Sequence, residues 1–159
     1  SEDEEVTIVR EQQHGHPLEQ LRAVVSSDDL AALRAAAEDV YVDDLLDRWA
    51  VRFVRATRAL EEVEVGASVR GSLALVAIAR AYALVHGRSY VVPRDVETLF
   101  VPVLGHRLLL APSYVAEMRG ASRDEIFERI QSECIAIAPA PQPDWVHDEA
   151  GWAGRHVAA

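Results

Sequence analysis

The sequence predicts an all-α fold, a small helical bundle of about five to six helices followed by an irregular C-terminal tail. Half of the 159 residues are apolar, which is enough for a hydrophobic core. Most apolar residues recur at steps of three and four, the spacing of one helical face. Gly, Pro and capping residues separate these periodic segments, as expected where helices begin and end.

The N-terminal part predicts two helices and a short helical turn. Residues 2–13 form a charged, amphipathic pattern that ends at Gly15 and Pro17. A short turn of helix is predicted at residues 18–24. The next helix is predicted to begin after Ser26, where a hydroxyl cap precedes two aspartates that suit the positive end of the helix dipole. Its apolar residues have helical spacing and are expected to be buried: Leu30, Leu33, Ala37 and Val40.

A third helix is predicted to begin near Asp43. One of its faces is apolar, which predicts packing against neighbouring helices: Val42, Leu46, Trp49, Phe53, Ala56 and Leu60. Another face carries four arginines at steps of four, three and three: Arg48, Arg52, Arg55 and Arg58. These arginines are interpreted either as an anion-binding stripe or as a solvated face or subunit contact. Asp44, four residues before Arg48, favours the second interpretation.

A fourth helix is predicted at residues 68–86, because Gly87 is a typical residue just beyond a helix C-terminus. Apolar side chains surround it almost completely, so we expect it to be the central helix of the bundle. These side chains are Leu73, Leu75, Val76, Ile78, Tyr82, Leu84 and Val85.

Two further helices are predicted after a short stretch that favours β-structure, residues 90–92. Pro93 is a natural first helical residue, and its helix is expected to run to about residue 103. That helix should bury Val96, Leu99 and Phe100. Residues 107–111 are apolar and are interrupted by Pro112. Ser122 caps a last helix with three apolar residues at helical spacing, Ile126, Phe127 and Ile130.

The predicted organisation has three parts. Residues 1–16 form a connecting helix, residues 17–138 the helical domain, and residues 139–159 a Pro-rich tail. The tail lacks periodicity, so we expect it to be mostly disordered, with Trp145 and Trp152 docking locally.

The inventory of basic residues excludes two classes of chemistry. All sixteen are arginine, and lysine is absent. A nucleotide-binding P-loop needs a lysine for the β- and γ-phosphates, and Schiff-base catalysis needs an amine. We therefore expect no catalytic residue in this chain alone.

Charge and hydropathy bound the partners. A net charge of −10 argues against nucleic acid, which is bound largely through Lys and Arg. No apolar run approaches the ~20 residues that cross a bilayer. Residues 1–5 are acidic where a signal peptide would be basic. A cytoplasmic protein without a membrane partner is expected.

Metal and thiol chemistry have little support in the sequence. The single cysteine, Cys134, excludes an internal disulfide and a multi-cysteine metal site. His14 and His16 flank a glycine before Pro17, where a solvated loop is the favoured interpretation over a metal site. A nucleophilic Cys134 is disfavoured because it follows Glu133 in the C-terminal part of a helix, where a thiolate is not stabilised.

One arginine is placed unusually. Arg70 lies in the first turn of the predicted central helix, where a cation opposes the helix dipole. An anion nearby would offset this cost, and a helix N-terminus also offers free N–H groups to a phosphate. Two interpretations stay open: phosphate sensing, or an ion pair with a local carboxylate, Glu61, Glu62 or Glu64.

Three segments, in order, resemble motifs of the MoxR family of AAA+ ATPases. Residues 66–75, Gly-Ala-Ser-Val-Arg-Gly-Ser-Leu-Ala-Leu, are similar to its sensor 2 segment, which usually reads Gly-Ala-Ser-Pro-Arg. Residues 87–96, Gly-Arg-Ser-Tyr-Val-Val-Pro-Arg-Asp-Val, are similar to Gly-Arg-x-Tyr-Val-Thr-Pro-x-Asp-Val. Residues 102–108, Pro-Val-Leu-Gly-His-Arg-Leu, are similar to Pro-Val-Leu-x-His-Arg-Leu. The likeness covers about residues 1–137, with Val69 in place of the usual proline.

The resemblance implies a C-terminal lid domain in which Arg70 is the sensor 2 arginine, reaching the γ-phosphate of ATP bound in a core domain. Ser68 and Gly66 are implied to face the same nucleotide. The core domain, which would hold ATP and Mg²⁺, is missing here, so the chain is expected to be inactive alone. His106 and Arg107 are interpreted as structural, with His106 satisfying carbonyls at a helix end.

The resemblance also implies partners: the chain's own AAA+ core, neighbouring subunits of a hexameric ring, and a von Willebrand A-domain protein. The implied function is coupling of ATP hydrolysis to chaperone-like remodelling. A sequence without an initial methionine fits an excised or processed fragment, and equally fits removal of a methionine before Ser1. The alternative is a free-standing helical adaptor that binds a protein through its arginine-rich third helix or through residues 107–111.

Overall fold

A computed structural model describes residues 1–12, with the backbone alone at Gln12, and residues 21–141. The chain divides into two compact units, Ser1–Arg34 and Ala35–Ala159, which are described separately. In the described ranges no helix combines the length and the apolar character needed to cross a membrane.

The first unit contains helix α1, Glu2–Gln12, and the start of α2, Ser27–Glu38. The predicted start of α2 is confirmed: the Ser26 hydroxyl accepts a hydrogen bond from the Asp29 amide (3.1 Å), and the Asp29 carboxylate accepts one from the Ser26 amide (2.8 Å). The Asp29 carboxylate accepts hydrogen bonds from the Ser26 amide and from the Ser26 hydroxyl (2.7 Å), and these two bonds, the backbone one above all, lower the pKa of Asp29. The turn of helix predicted at residues 18–24 is wrong for residues 21–24, which are not helical, and residues 18–20 lie outside the described part.

The apolar stripe predicted along α2 is largely exposed. Leu30 and Leu33 are 47% and 54% exposed, and only Val40, beyond the helix, is buried. Helical spacing marks a face that can be buried, but burial also needs a facing element. The described residues of the first unit supply none for these two leucines, so the prediction of a buried stripe is wrong there.

The second unit is built on helices α3 to α8. Their bounds are α3 Asp44–Ala56, α4 Val69–Val85, α5 Pro93–Thr98, α6 Phe100–Leu104, α7 Pro112–Glu117 and α8 Arg123–Ile137. The largest fully buried side chains come from α3, α4, α6 and α8: Trp49, Phe53, Phe100, Leu75, Leu104 and Ile130. Residues from four helices therefore share one core, which confirms the predicted all-α bundle.

Helix α3 begins and packs as predicted. The Asp43 carboxylate caps it by accepting a hydrogen bond from the Leu45 amide (2.8 Å). Trp49 and Phe53 are completely buried, with stacked rings whose centroids are 5.3 Å apart. The Trp49 indole N–H donates to the Ala138 carbonyl (2.9 Å), which satisfies the buried indole and holds the end of α8 against α3.

Helix α4 is less central than predicted. It contacts α3, α5 and α6 through small residues and one leucine: Gly71, Leu75, Ala79 and Ala83. Its opposite face is open, and Leu73 and Val85 are 68% and 83% exposed. The helix ends at Gly87, whose φ of +71° suits glycine.

The predicted fifth helix is two helices that meet at Leu99. Pro102 has no N–H to donate to the Thr98 carbonyl, and its ring would crowd that carbonyl in a continuous helix. Thr98 is accordingly the last residue of α5. The predicted burial is confirmed for Val96, Leu99 and Phe100.

A small antiparallel sheet was not predicted. Strand β1, Val63–Val65, pairs with β2, Leu109–Leu110, with Val63 opposite Leu110. Strands of two or three residues are too short to show an alternating pattern. A separate parallel bridge between Tyr41 and Tyr90 uses the stretch that favours β-structure.

The last helix is capped as predicted, by reciprocal bonds between Ser122 and Glu125. It buries Phe127, Ile130 and Cys134. Residues 139–141 are not helical, and residues 142–159 lie outside the described part of the chain, as do His14, His16, Trp145 and Trp152. The three-part division of the chain stays a prediction.

Candidate nucleotide-sensing site at the start of helix α4

The segment before α4 is held by the end of α3. Thr57 is fully buried; its hydroxyl donates to the Val54 carbonyl (2.7 Å) and accepts from the Ala67 amide (3.0 Å). The guanidinium of Arg58 donates to the Ala67 carbonyl (2.5 Å). Both backbone groups of Ala67 are therefore bonded to the two residues that follow α3, and the position of the α4 N-terminus follows from these bonds.

Gly66 is required by a close approach of two backbones. A Cβ at this position would lie 2.8 Å from both the Arg58 nitrogen and the Thr57 carbonyl oxygen. These are backbone atoms of the neighbouring turn, so they cannot turn away as a side chain would. Packing alone accounts for this glycine, and its predicted role beside a nucleotide stays a prediction.

The first turn of α4 is uncapped by side chains and carries no carboxylate. Ser68 is the N-cap residue, with extended backbone, and its side chain makes no capping hydrogen bond. No acidic residue lies in this turn to offset the positive end of the dipole. The exposed Ser68 side chain and the N-terminal N–H groups are thus available to an anion.

Arg70 is exposed and has no ion-pair partner among residues 1–12 and 21–141. Glu61, Glu62 and Glu64 all lie in this range, so the alternative that Arg70 pairs with one of them is wrong. The sequence predicted the place of Arg70 in the first turn, and the structure adds that the guanidinium forms no ion pair with the described residues.

Apolar side chains flank Arg70 on the same helix. Val69 and Leu73 are 70% and 68% exposed, and Val65, in the strand before α4, is 53% exposed. Exposed apolar side chains near the start of α4, together with a cation that has no partner among the described residues, suit contact with another body that presents an anion.

The second family-like segment contains an ion pair between a partly buried arginine and a buried aspartate. The guanidinium of Arg88 donates two hydrogen bonds of 2.7 Å to the carboxylate of Asp95, which is 3% exposed. Asp95 also accepts from the Val92 amide (2.9 Å) at the start of α5. The hydrogen bond to Asp95 raises the pKa of Arg88. Sequence reasoning missed this pair, although an aspartate two residues after Pro93 is a recognisable helix-start signal.

In the third segment the predicted role of His106 is wrong. His106 is exposed and forms no hydrogen bond with the described residues. Its neighbour Arg107 takes that role instead, because its Nε donates to the Val103 carbonyl (3.2 Å) near the end of α6. The chain turns here through a 3₁₀ segment, Gly105–Arg107.

Cys134 lacks the features of a catalytic nucleophile. Its side chain is fully buried in the core. Burial first, and then the charges of Glu133 and Glu62, raises the pKa of the thiol to about 12. Across the described residues, no three His, Cys, Asp or Glu side chains come together as a metal site.

Comparison with known proteins agrees with this fold. The AAA lid domain family matches residues 55–130, which include α4 and its N-terminal site. The uncharacterised protein YeaC of Bacillus subtilis is 36% identical over 130 residues, 82% of this chain and 40% of YeaC. The chaperone MoxR1 of Mycobacterium tuberculosis is 39% identical over 107 residues, 62% of this chain and 28% of MoxR1.

A crystal structure of a protein from Cytophaga hutchinsonii, provisionally described as an ATPase, superposes with a TM-score of 0.64. It is 27% identical, and the match covers 84% of this chain and 42% of that one. The class defined by fold and site is therefore the AAA lid domain. This chain is the lid domain of a MoxR-family AAA+ protein. It spans less than half the length of the relatives named above.

Proposed function

We propose that Arg70 is the sensor 2 arginine of a MoxR-type AAA+ ATPase and that this chain couples ATP hydrolysis to movement of the lid. The observation that carries the proposal is the unpaired guanidinium in the first turn of α4, beside a helix N-terminus with neither a side-chain cap nor a carboxylate. A γ-phosphate held by a core domain would supply the anion that this turn lacks. ATP and Mg²⁺ bind in that core, and this chain contributes Arg70, with Ser68 and Gly66 facing the nucleotide.

The bonds between α3 and Ala67 give the site its mechanical role. Thr57 and Arg58 fix the start of α4 to α3, and α3 also packs against α8. A force on Arg70 is therefore transmitted to the bundle rather than absorbed by a loose loop. By this proposal the lid moves with nucleotide state, in contact with its own core and with neighbouring subunits of a hexameric ring.

The wider role proposed is chaperone-like remodelling of protein complexes by a cytoplasmic ATPase, together with a von Willebrand A-domain protein. The similarity to chaperone MoxR1 supports the first part. The chain alone is proposed to be inactive, because it has no lysine for a P-loop.

The test is ATP turnover in an intact protein that joins this chain to its nucleotide-binding core. Arg70→Ala should lower turnover by about 10²-fold, the size of effect found when one preorganised charge or donor is removed from a transition state. Arg119→Ala is the matched control, because Arg119 is also exposed and lies in the loop after α7. Equal turnover in the two variants would refute the sensor role and favour a nucleotide-independent adaptor.

A further inference from the structure

The exposed side of α3 carries an arginine face, defined as Arg48, Arg52 and Arg55. All three are exposed and spaced by four and three residues, so they share one side of the helix. That side lies opposite the face that buries Trp49 and Phe53. Within the described part of the chain none of the three has an ion-pair partner. Arg58 is not a member, because it bonds to the Ala67 carbonyl.

The same unit carries an acidic cleft, defined by Glu61, Glu62, Glu117 and Glu133. The cleft has a volume of about 480 Å³ and lies among the turn before β1, α7 and α8. Arg129 and Tyr114 also line it. Four carboxylates against one guanidinium leave the cleft with an excess of negative charge.

We propose that the arginine face of one copy of this chain docks on the acidic cleft of a second copy. The first argument is charge complementarity: three unpaired cations on one molecule match the excess carboxylates on the next. The second is that Leu45 and Val51, 54% and 44% exposed, border the arginine face and supply apolar contact area. Three like charges on one helical face repel one another, and contact with the carboxylates of a second copy would offset this repulsion in a chain whose net charge is −10.

The contact has a defined symmetry. Each copy offers both surfaces and they differ, so the interface is heterologous, head to tail, and repeated contacts build a ring or an open chain. Neither surface includes Arg70. The proposal therefore stands apart from nucleotide sensing and adds a contact between lids.

Sedimentation velocity of the 159-residue chain tests the contact. At ~0.01 M salt, where the Debye length is ~30 Å, we expect concentration-dependent association, and at ~1 M salt, where it is ~3 Å, a monomer. Arg48→Glu with Arg52→Glu should weaken association by about tenfold or more, because like charges replace opposite ones. Arg94→Glu with Arg119→Glu makes the same change in net charge at exposed sites outside the arginine face and should have a smaller effect.

Mixing two variants makes the test specific. Chains carrying Arg48→Glu and Arg52→Glu should fail to associate alone, as should chains carrying Glu117→Arg and Glu133→Arg. A mixture of the two should associate, because the intact arginine face of the cleft variant meets the intact acidic cleft of the face variant, and the acidic face of the latter meets the basic cleft of the former. Arg70→Ala should associate like the unmodified chain. A monomer at low salt, equal losses in the control, or no recovery in the mixture would overturn the proposal.

Discussion

Replacing Thr57 with valine tests how the start of α4 is positioned. The substitution keeps the shape of the side chain and removes one hydroxyl, which makes two hydrogen bonds in a fully buried position. The Ala67 amide, in a residue only 1% exposed, is then left without its acceptor. An unsatisfied buried donor costs about 1–3 kcal/mol, and loss of the bond to the Val54 carbonyl adds about 1 kcal/mol. We expect Thr57→Val to lower the free energy of unfolding by about 2–4 kcal/mol.

Urea unfolding of the chain, followed by circular dichroism, measures this change. Thr57→Ser is the matched control, because it keeps the hydroxyl and removes one methyl group, at a cost of about 1 kcal/mol. If the valine variant is as stable as the serine variant, the hydroxyl does not hold the segment, and another contact must position α4. In an intact ATPase, Thr57→Val should also lower turnover, since Arg70 would be less well positioned.

Two further predictions concern the core. Asp95→Asn should lower the free energy of unfolding by about 2–4 kcal/mol, because it leaves the partly buried Arg88 without its charge partner. Glu97→Gln, at a half-buried position of the same helix, should change it little. Urea unfolding of both variants measures the difference, and equal stability of the two would contradict a structural role for the Arg88–Asp95 pair. Burial raises the pKa of Cys134 to about 12, so the thiol should resist alkylation at pH 8.5 in the folded chain and react within minutes in urea. Mass spectrometry measures the labelling, and rapid labelling of the folded chain would show that the thiol is accessible. As pH rises above the thiol's ordinary pKa of 9.0, the unfolded chain loses this proton first, so the thiol lowers the free energy of unfolding between pH 9 and about 12.

The helices that the sequence predicted best are those with both a cap and a periodic face. Helix α3 begins beside Asp43 as expected, Ser122 accepts the predicted capping bond, and Trp49, Phe53 and Ile130 are buried as their spacing required. The sequence could not show which faces find a partner. Leu33 on α2 and Leu73 on α4 have the same pattern as buried residues and are exposed.

Structure that depends on contacts distant in sequence was missed. The pairing of residue 63 with residue 110 leaves no local signal, and neither does the hydrogen bond between Trp49 and Ala138. The break at Leu99, by contrast, has a local signal in Pro102, which cannot donate a backbone hydrogen bond within a continuous helix. At the candidate site, the position of Arg70 was predictable, whereas its freedom from Glu61, Glu62 and Glu64 and the close backbone contact at Gly66 required the three-dimensional arrangement.

The central claim is that Arg70 senses the γ-phosphate, and nucleotide affinity tests it most directly. Isothermal titration calorimetry on an intact protein containing this chain and its core would compare ADP with a non-hydrolysable ATP analogue. Arg70→Ala should weaken binding of the analogue about tenfold or more, a loss of about 1.4 kcal/mol, and leave ADP affinity unchanged. Equal loss for both nucleotides, or no loss for either, would contradict the claim.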